Sequence, residues 1–214
     1  MAFPTSQFAS VAPLFLPFTP NGKATELRAI EVKRRIEIRA DAAVDPFTVL
    51  PRLPAQLFDP EELRRLSPIL ACALFHEHAH YWSGMVIARV ESTGESIILL
   101  NPTHADTRKR ATLMEEIVHI VLDHPATALS VDGRSGKGPA LKTSAARSYD
   151  KAIEDEAYNV GAACLLPYPA LFNAVSRGHE HASVIARREG LSVDHVEFRI
   201  KRAGLWRIYN KHCL

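Results

Sequence analysis

The stretch Met114-Glu115-Glu116-Ile117-Val118-His119 decides the fold of this chain of 214 residues, because it combines apolar residues at helical spacing with closely spaced acidic and histidine side chains. Positions four apart lie on one face of an α-helix, so Glu115 and His119 can hold one metal ion between them. Glu116 is rotated by roughly 100° from Glu115, which leaves its carboxylate beside such an ion. This stretch therefore predicts half of a metal site on a helix.

A second predicted helix supplies the missing acid. It runs from Asp150 to Leu166 and is halted by Pro167. Glu154, Ala157 and Gly161 share one face of it by their spacing, together with Tyr158. The small side chains at 157 and 161 would let this helix approach another backbone closely, which a third ligand from a neighbouring helix requires. We therefore expect Glu154 to complete a site with Glu115 and His119.

A literal H-E-x-x-H motif of zinc peptidases occurs elsewhere, at His76-Glu77-His78-Ala79-His80. Such a motif needs helix on both sides of it, but Tyr81-Trp82-Ser83-Gly84 ends the helix at once and leads into a strand. The alternative interpretation is a polar helix end, with His78 and His80 near the negative end of the helix dipole. The sequence leaves both interpretations open and favours the second.

The order of apolar periods predicts an α+β fold. Two strands, 85–90 and 96–100, are joined by a turn around Gly94 and form a hairpin. The second strand is interpreted as edge-like and leads into the helix that carries Glu115. A glycine-containing surface loop is expected at 130–148. The remaining helices are predicted at Thr25–Ala42, after Asp45-Pro46, after Asp59-Pro60, from Ile69 to about His80, from Thr107 to about Asp123, at Pro169–Val175 and, as two or three short helices, in 181–214.

Composition excludes several classes of protein. A hydrophobic content of 47% and a charged content of 23% are ordinary for a soluble domain, and the net charge of +2 predicts no polyanionic partner. No apolar run reaches the roughly 18 residues of a membrane span. The first residues lack a basic segment, so we expect no secretory signal and a cytoplasmic protein. Cys72 and Cys164 lie in apolar runs and are expected to be buried, reduced thiols.

Five segments of the chain resemble the ImmA/IrrE family of metallo-endopeptidases. The resemblance covers about residues 25–210 and is carried by Arg108–His124, Tyr81–Gly84, Asn101–His104, Ile153–Tyr158 and Ala162–Pro167. It implies a compact, zincin-like α+β domain and a zinc ion held by two histidines and a glutamate. Known members cleave repressor-type transcription regulators or antitoxins in bacteria and phages.

The resemblance also assigns roles by position. His119 matches the second histidine ligand, Glu154 the acidic ligand, and Glu116 the general base that takes a proton from metal-activated water and passes it to the leaving amine. Glu115 stands where the family has its first histidine. Zinc accepts carboxylate oxygen at about 2.0–2.2 Å, but an anionic ligand makes it a weaker Lewis acid. The expected cofactor is zinc, and the additional oxygen ligand shifts the selectivity of the site towards manganese or magnesium.

A second electrophile would be needed to stabilise the oxyanion, and five residues are available. The sequence does not rank His104, His124, Arg147, Tyr149 and Tyr158. His124 lies about 140° around a continuous helix from His119, so we expect it to end the helix rather than share the ion.

The C-terminal stretch 182–200 resembles a helix-turn-helix, with Gly190 in the turn and Ser192 as cap of the second helix. Four residues add positive charge, but the outward face of a DNA-reading helix would show Asp194, His195 and Glu197, which disfavours DNA reading. Packing against the peptidase domain is favoured. The four basic residues are Arg199, Lys201, Arg202 and Arg207.

The predicted organisation is an extended arm at 1–22, a peptidase domain at 23–175 and a helical extension at 176–214.

Three functions follow from these observations. The first is a metal-dependent endopeptidase that cleaves a partner regulator, with a protein substrate and with neither a membrane nor nucleic acid as a direct partner. The second is a degenerate peptidase that survives as a binding or sensing module, because Glu115 replaces a histidine. The third is a DNA-binding regulator that uses residues 182–202.

Overall fold

The helix that carries Glu115 and His119 contacts both the sheet and the other long helices, so the rest of the fold is arranged around it. The computed structural model describes residues 15–90, 92–124 and 150–213. Its helices are α1 (Pro20–Arg35), α2 (Pro46–Val49), α3 (Pro60–Leu66), α4 (Pro68–Cys72), α5 (Asp106–Val121), α6 (Lys151–Leu165), α7 (Tyr168–Phe172), α8 (Ala182–Glu189), α9 (Val193–Arg202) and α10 (Trp206–His212), and its strands are β1 (Ala55–Leu57), β2 (Gly84–Arg89) and β3 (Ser96–Leu100). This content confirms the α+β class.

The sheet confirms the predicted hairpin but gives its second strand a different place. Strands β2 and β3 pair antiparallel, and Gly94 in the connection has a φ of 71°, which a glycine adopts without strain. The edge-like assignment of β3 is wrong, because β1 pairs with it in parallel on the other side and makes it the central strand. Strand β1 was not predicted, since three residues after Pro54 are too short to show an alternating pattern.

Helix α1 begins and ends earlier than its apolar pattern predicts. Thr19 caps it by accepting a hydrogen bond from the Gly22 amide at 3.2 Å, and Pro20 occupies the first turn. The helix ends at Arg35 because Glu37 adopts a left-handed φ of 58°, and the Ile38 amide then returns to the Lys33 carbonyl at 2.8 Å. The predicted bounds of Thr25–Ala42 are therefore wrong at both ends.

Helices α5 and α6 cross closely, as the small residues of α6 predict. Ala157 is fully buried. A Cβ atom added at Gly161 would lie 3.4 Å from the Glu115 backbone nitrogen, so a larger side chain there would push the helices apart. The pattern of small residues thus brings the ligand residues of the two helices within reach of each other.

The C-terminal helices α8 and α9 form the predicted pair, with Gly190 at a φ of 64° and the Ser192 hydroxyl capping α9 at 3.2 Å from the His195 amide. Ile185 and Ile200 belong to the same buried cluster as the apolar residues of α5. The expected outward face of α9 is wrong for His195, which is buried, and burial lowers its pKa to about 4.

Arg199 is also placed differently from the expectation that it adds surface charge. It is only 1% exposed and forms a buried ion pair with Glu26 of α1. Its Nε also donates to the Leu166 carbonyl at 3.1 Å. The guanidinium therefore joins α9 to the helical core and is not available to a nucleic acid.

Two further expectations concern thiols and membranes. Cys164 is buried as predicted, and burial raises the pKa of its thiol to about 12. Cys72 is exposed, contrary to expectation, because α4 turns Ala71 inward and residue 72 lies about 100° further around the helix.

Among the residues that the structure describes, no helix has the length and apolar character needed to cross a membrane.

Candidate metal centre

The apolar face of α5 sets the rotation of the helix and therefore the direction of its polar residues. Leu113, Met114, Ile117 and Val118 are fully buried against the core. Glu115 and Glu116, between these residues, and His119, directly after them, are only half-buried.

Glu115, His119 and Glu154 come together at the crossing of α5 and α6. Each offers one ligand atom, and these atoms all lie within 4.8 Å of one another. The His119 Nε2 atom is 3.8 Å from the Glu154 Oε2 atom. Among residues 15–90, 92–124 and 150–213, no other three acidic, histidine or cysteine side chains converge in this way.

The donor set fits a divalent metal ion. Ligand atoms around a tetrahedral ion with bonds of about 2.1 Å lie about 3.4 Å apart, so the observed separations need only a small closure. Two carboxylates and one imidazole satisfy zinc, and the excess of oxygen donors also suits manganese. A Glu/His/Glu group of this kind could therefore bind a metal ion.

Glu116 lies beside this group and is half-buried. It follows Glu115 on α5, so its side chain projects about 100° further around the helix, and it is not one of the converging ligands.

The literal motif at residues 76–80 has a different structure. A π-helical turn, Ala73–Glu77, ends at His78, and a short 3-10 turn follows at Ala79–Tyr81. The three histidines and Glu77 are exposed, and they do not form a converging group in the described part of the chain. This arrangement favours the interpretation as a polar helix end.

Two of the residues considered for oxyanion stabilisation lie in different parts of the fold. His104 lies before α5, whose first residue, Asp106, is about 14 Å along the helix axis from Glu115. Tyr158 lies one turn beyond Glu154 on α6, and its ring packs edge-on against Phe198 with ring centroids 4.8 Å apart. Burial and the nearby Glu115 carboxylate raise the pKa of Tyr158. Arg147, Tyr149 and the loop at 130–148 lie outside the described residues.

His124 lies next to His119, which the angle around a continuous helix did not predict. The two Nδ1 atoms are 3.0 Å apart, and the His124 Nε2 atom is 3.1 Å from the Glu156 Oε2 atom. The sequence reasoning did not single out Glu156, because a residue two positions from Glu154 projects from a different side of α6. An acidic residue near a ligand gives no distinguishing signal in the sequence.

Comparison with known proteins identifies one family. The family model of peptidase M78, described as the IrrE N-terminal-like domain, matches residues 76–201, which is more than half of the chain. The matched range contains all three converging ligand residues and Glu116. No curated protein matches the chain.

Proposed function

The chain belongs to the IrrE N-terminal-like family of metallopeptidases, and on that premise we propose that it is a metal-dependent endopeptidase centred on Glu115, His119 and Glu154. The observation that carries this proposal is the convergence of three ligand atoms from two helices. All three stand at positions that the family resemblance assigns to ligands, and His119 and Glu154 also keep the residue type that it implies.

The catalytic roles are divided among neighbouring side chains. A divalent metal bound here supplies a Lewis acid that polarises water and the peptide carbonyl. Glu116 accepts a proton from the attacking water and returns it to the leaving amine. The Tyr158 hydroxyl donates a hydrogen bond to the carbonyl oxygen as negative charge develops on it. The electrostatic effect of Glu115 on Tyr158 supports this last role, because it reflects their proximity.

The proposed substrate is a protein regulator of the repressor or antitoxin type, encoded beside this gene. The support for this finer assignment is the resemblance to ImmA/IrrE peptidases. An alternative function is a peptidase-like module that binds or senses without hydrolysis. The observation that favours the alternative is Glu115, which places a second carboxylate where a neutral ligand would keep the ion more electrophilic.

Metal content and cleavage test the proposal together. Purified wild-type protein and Glu116→Gln should retain stoichiometric zinc or manganese, whereas Glu154→Ala should lose it because a ligand is gone. Cleavage of the neighbouring regulator should fall by about 10²- to 10⁴-fold in Glu116→Gln, which cannot accept the proton. Asp155→Asn is the matched control, since Asp155 is exposed, pairs with Lys151 and is not one of the converging ligands. Wild-type protein that takes up neither metal would rule out the enzymatic function.

A further inference from the structure

The C-terminal end of α5 reverses direction and brings one more histidine back to the centre. Asp123 adopts a left-handed φ of 55°. The amides of Asp123 and His124 donate to the carbonyls of Ile120 and His119 at 3.2 and 2.9 Å, which is the pattern of a Schellman motif. This reversal, rather than a continued helix, turns the His124 ring towards the ring of His119, at an interplanar angle of 76°.

A continuous chain of polar contacts leads from His119 away from the metal group. The His119 and His124 rings meet through their Nδ1 atoms at 3.0 Å, and the His124 Nε2 atom meets Glu156 at 3.1 Å. The other oxygen of Glu156 accepts a hydrogen bond from the Arg28 Nε at 2.8 Å. The His124 side chain is only 7% exposed, so water does not easily replace these partners.

The direction of each hydrogen bond in this chain follows from the chemistry of its ends. An ionised carboxylate can only accept a hydrogen bond, so the Nε2 atom of His124 carries a proton and donates it in a hydrogen bond to Glu156. A neutral imidazole then has an acceptor at Nδ1, and the facing Nδ1 atom of His119 must be the donor. The lone pair of His119 is thereby left on Nε2, the atom that lies 3.8 Å from the Glu154 carboxylate.

We propose that His124, Glu156 and Arg28 form a hydrogen-bonded relay that holds His119 in the tautomer and orientation that its metal needs. This inference rests on the proposed metal centre and adds three positioning residues to it. A partner on the non-ligating nitrogen commonly sets the ring of a metal-binding histidine and increases its basicity. Here the partner is a second histidine, and the carboxylate acts through it.

The outer end of the relay is anchored to α1. Arg28 keeps its charge at all relevant pH values and pairs with the Glu156 carboxylate at 2.8 Å. A second arginine of α1, Arg35, donates to the Val121 carbonyl at 2.7 Å and so holds the last turn of α5. Among the three converging residues of the described chain, His119 alone offers a nitrogen donor, so we expect its orientation to have a large effect on affinity.

The tautomers can be measured in the metal-free wild-type protein. Two-bond proton–nitrogen NMR correlations of the imidazole rings, recorded well above the ordinary histidine pKa of about 6.5, identify the protonated nitrogen of each ring. We expect the proton on Nδ1 of His119 and on Nε2 of His124. The opposite tautomer of His119 would overturn the relay, whether or not the protein binds metal.

Metal affinity tests the consequence of the relay. Removing a partner of this kind typically weakens metal binding by about 10- to 100-fold, and we expect that loss in His124→Leu and in Glu156→Leu. His124→Asn should retain most of the affinity, because its amide oxygen can still accept from His119. Asp155→Asn is the control from the same turn of α6.

Each outcome separates the relay from the proposed function. Zinc affinity is measured by chelator competition, and thermal unfolding of every variant verifies that it is folded. If folded His124→Leu binds zinc as tightly as wild type, the relay is refuted while the metal centre stands. If wild type binds no metal, the proposed function fails, and the NMR measurement still decides the tautomer of His119.

Discussion

At the scale of single residues, Glu115 is the side chain that distinguishes the proposed centre. Its carboxylate lies with His119 and Glu154 in one group, so a cation bound there would have two anionic ligands and one neutral ligand. Additional negative charge reduces the electrophilicity of the ion and favours metals that prefer oxygen. The same three residues can therefore support either a slow hydrolase or a binding site.

Replacing Glu115 by histidine distinguishes these two outcomes. We expect Glu115→His to bind zinc about tenfold more tightly or better, a gain of about 1.4 kcal/mol, and to raise the preference for zinc over manganese. Competition titrations with both metals measure this change. Unchanged zinc affinity would show that residue 115 is not a ligand. An inert wild type with a cleaving Glu115→His variant would identify the natural protein as a binding module.

At the scale of elements, the starts of several helices were predictable from their capping residues, whereas the way in which α1 and α5 end was not. Asp59, Asp150 and Ser192 all accept hydrogen bonds from the first turns that follow them, as their residue types predict. Helices α1 and α5 end at left-handed Glu37 and Asp123. Neither end contains a glycine, so the usual sequence signal for this reversal is missing.

The crossing of α5 and α6 gives a prediction at the same scale. Gly161→Leu should force the two helices apart, cost about 1–3 kcal/mol of stability and weaken metal binding, because Glu154 moves away from His119. Gly161→Ala is the matched control, since its Cβ would meet the Glu115 nitrogen at an acceptable 3.4 Å and alanine favours the helix. Urea unfolding and zinc titration measure the two effects. Equal metal affinity in both variants would contradict the dependence of the centre on this close approach.

At the scale of the whole molecule, the buried pair Glu26–Arg199 connects the first long helix to the C-terminal helices. Glu26 also accepts a hydrogen bond from the Tyr168 amide at 3.3 Å, and Arg199 donates to the Leu166 carbonyl. The pair thus joins α1, α9 and the link between α6 and α7. Helix α1 carries Arg28 and α6 carries Glu154 and Glu156, so these contacts would support the proposed metal centre and relay from a distance.

Removing one charge of this pair should be more harmful than removing both. Arg199→Met leaves the Glu26 carboxylate buried without its partner, and we expect a loss of about 3–5 kcal/mol in the free energy of unfolding. Adding Glu26→Gln should recover part of that loss, because the amide is neutral and its oxygen can still accept from the Tyr168 amide. Equilibrium unfolding in urea compares the single and double variants. A double variant that is less stable than Arg199→Met would contradict this account.

The sequence by itself predicted the α+β class, the hairpin, the start of most helices and the convergence of Glu115, His119 and Glu154, because apolar periods, turn and capping residues, and the spacing of residues on each helix are all local patterns. Only the tertiary structure decided that His124 turns back to His119, that Glu156 and Arg28 continue the contact, and that Arg199 is buried. The pairing of β1 with β3 was also decided only by the tertiary structure. These features join residues that are far apart in the chain. Their positions depend on how three helices and a sheet pack together, and a local pattern in the sequence does not indicate that packing.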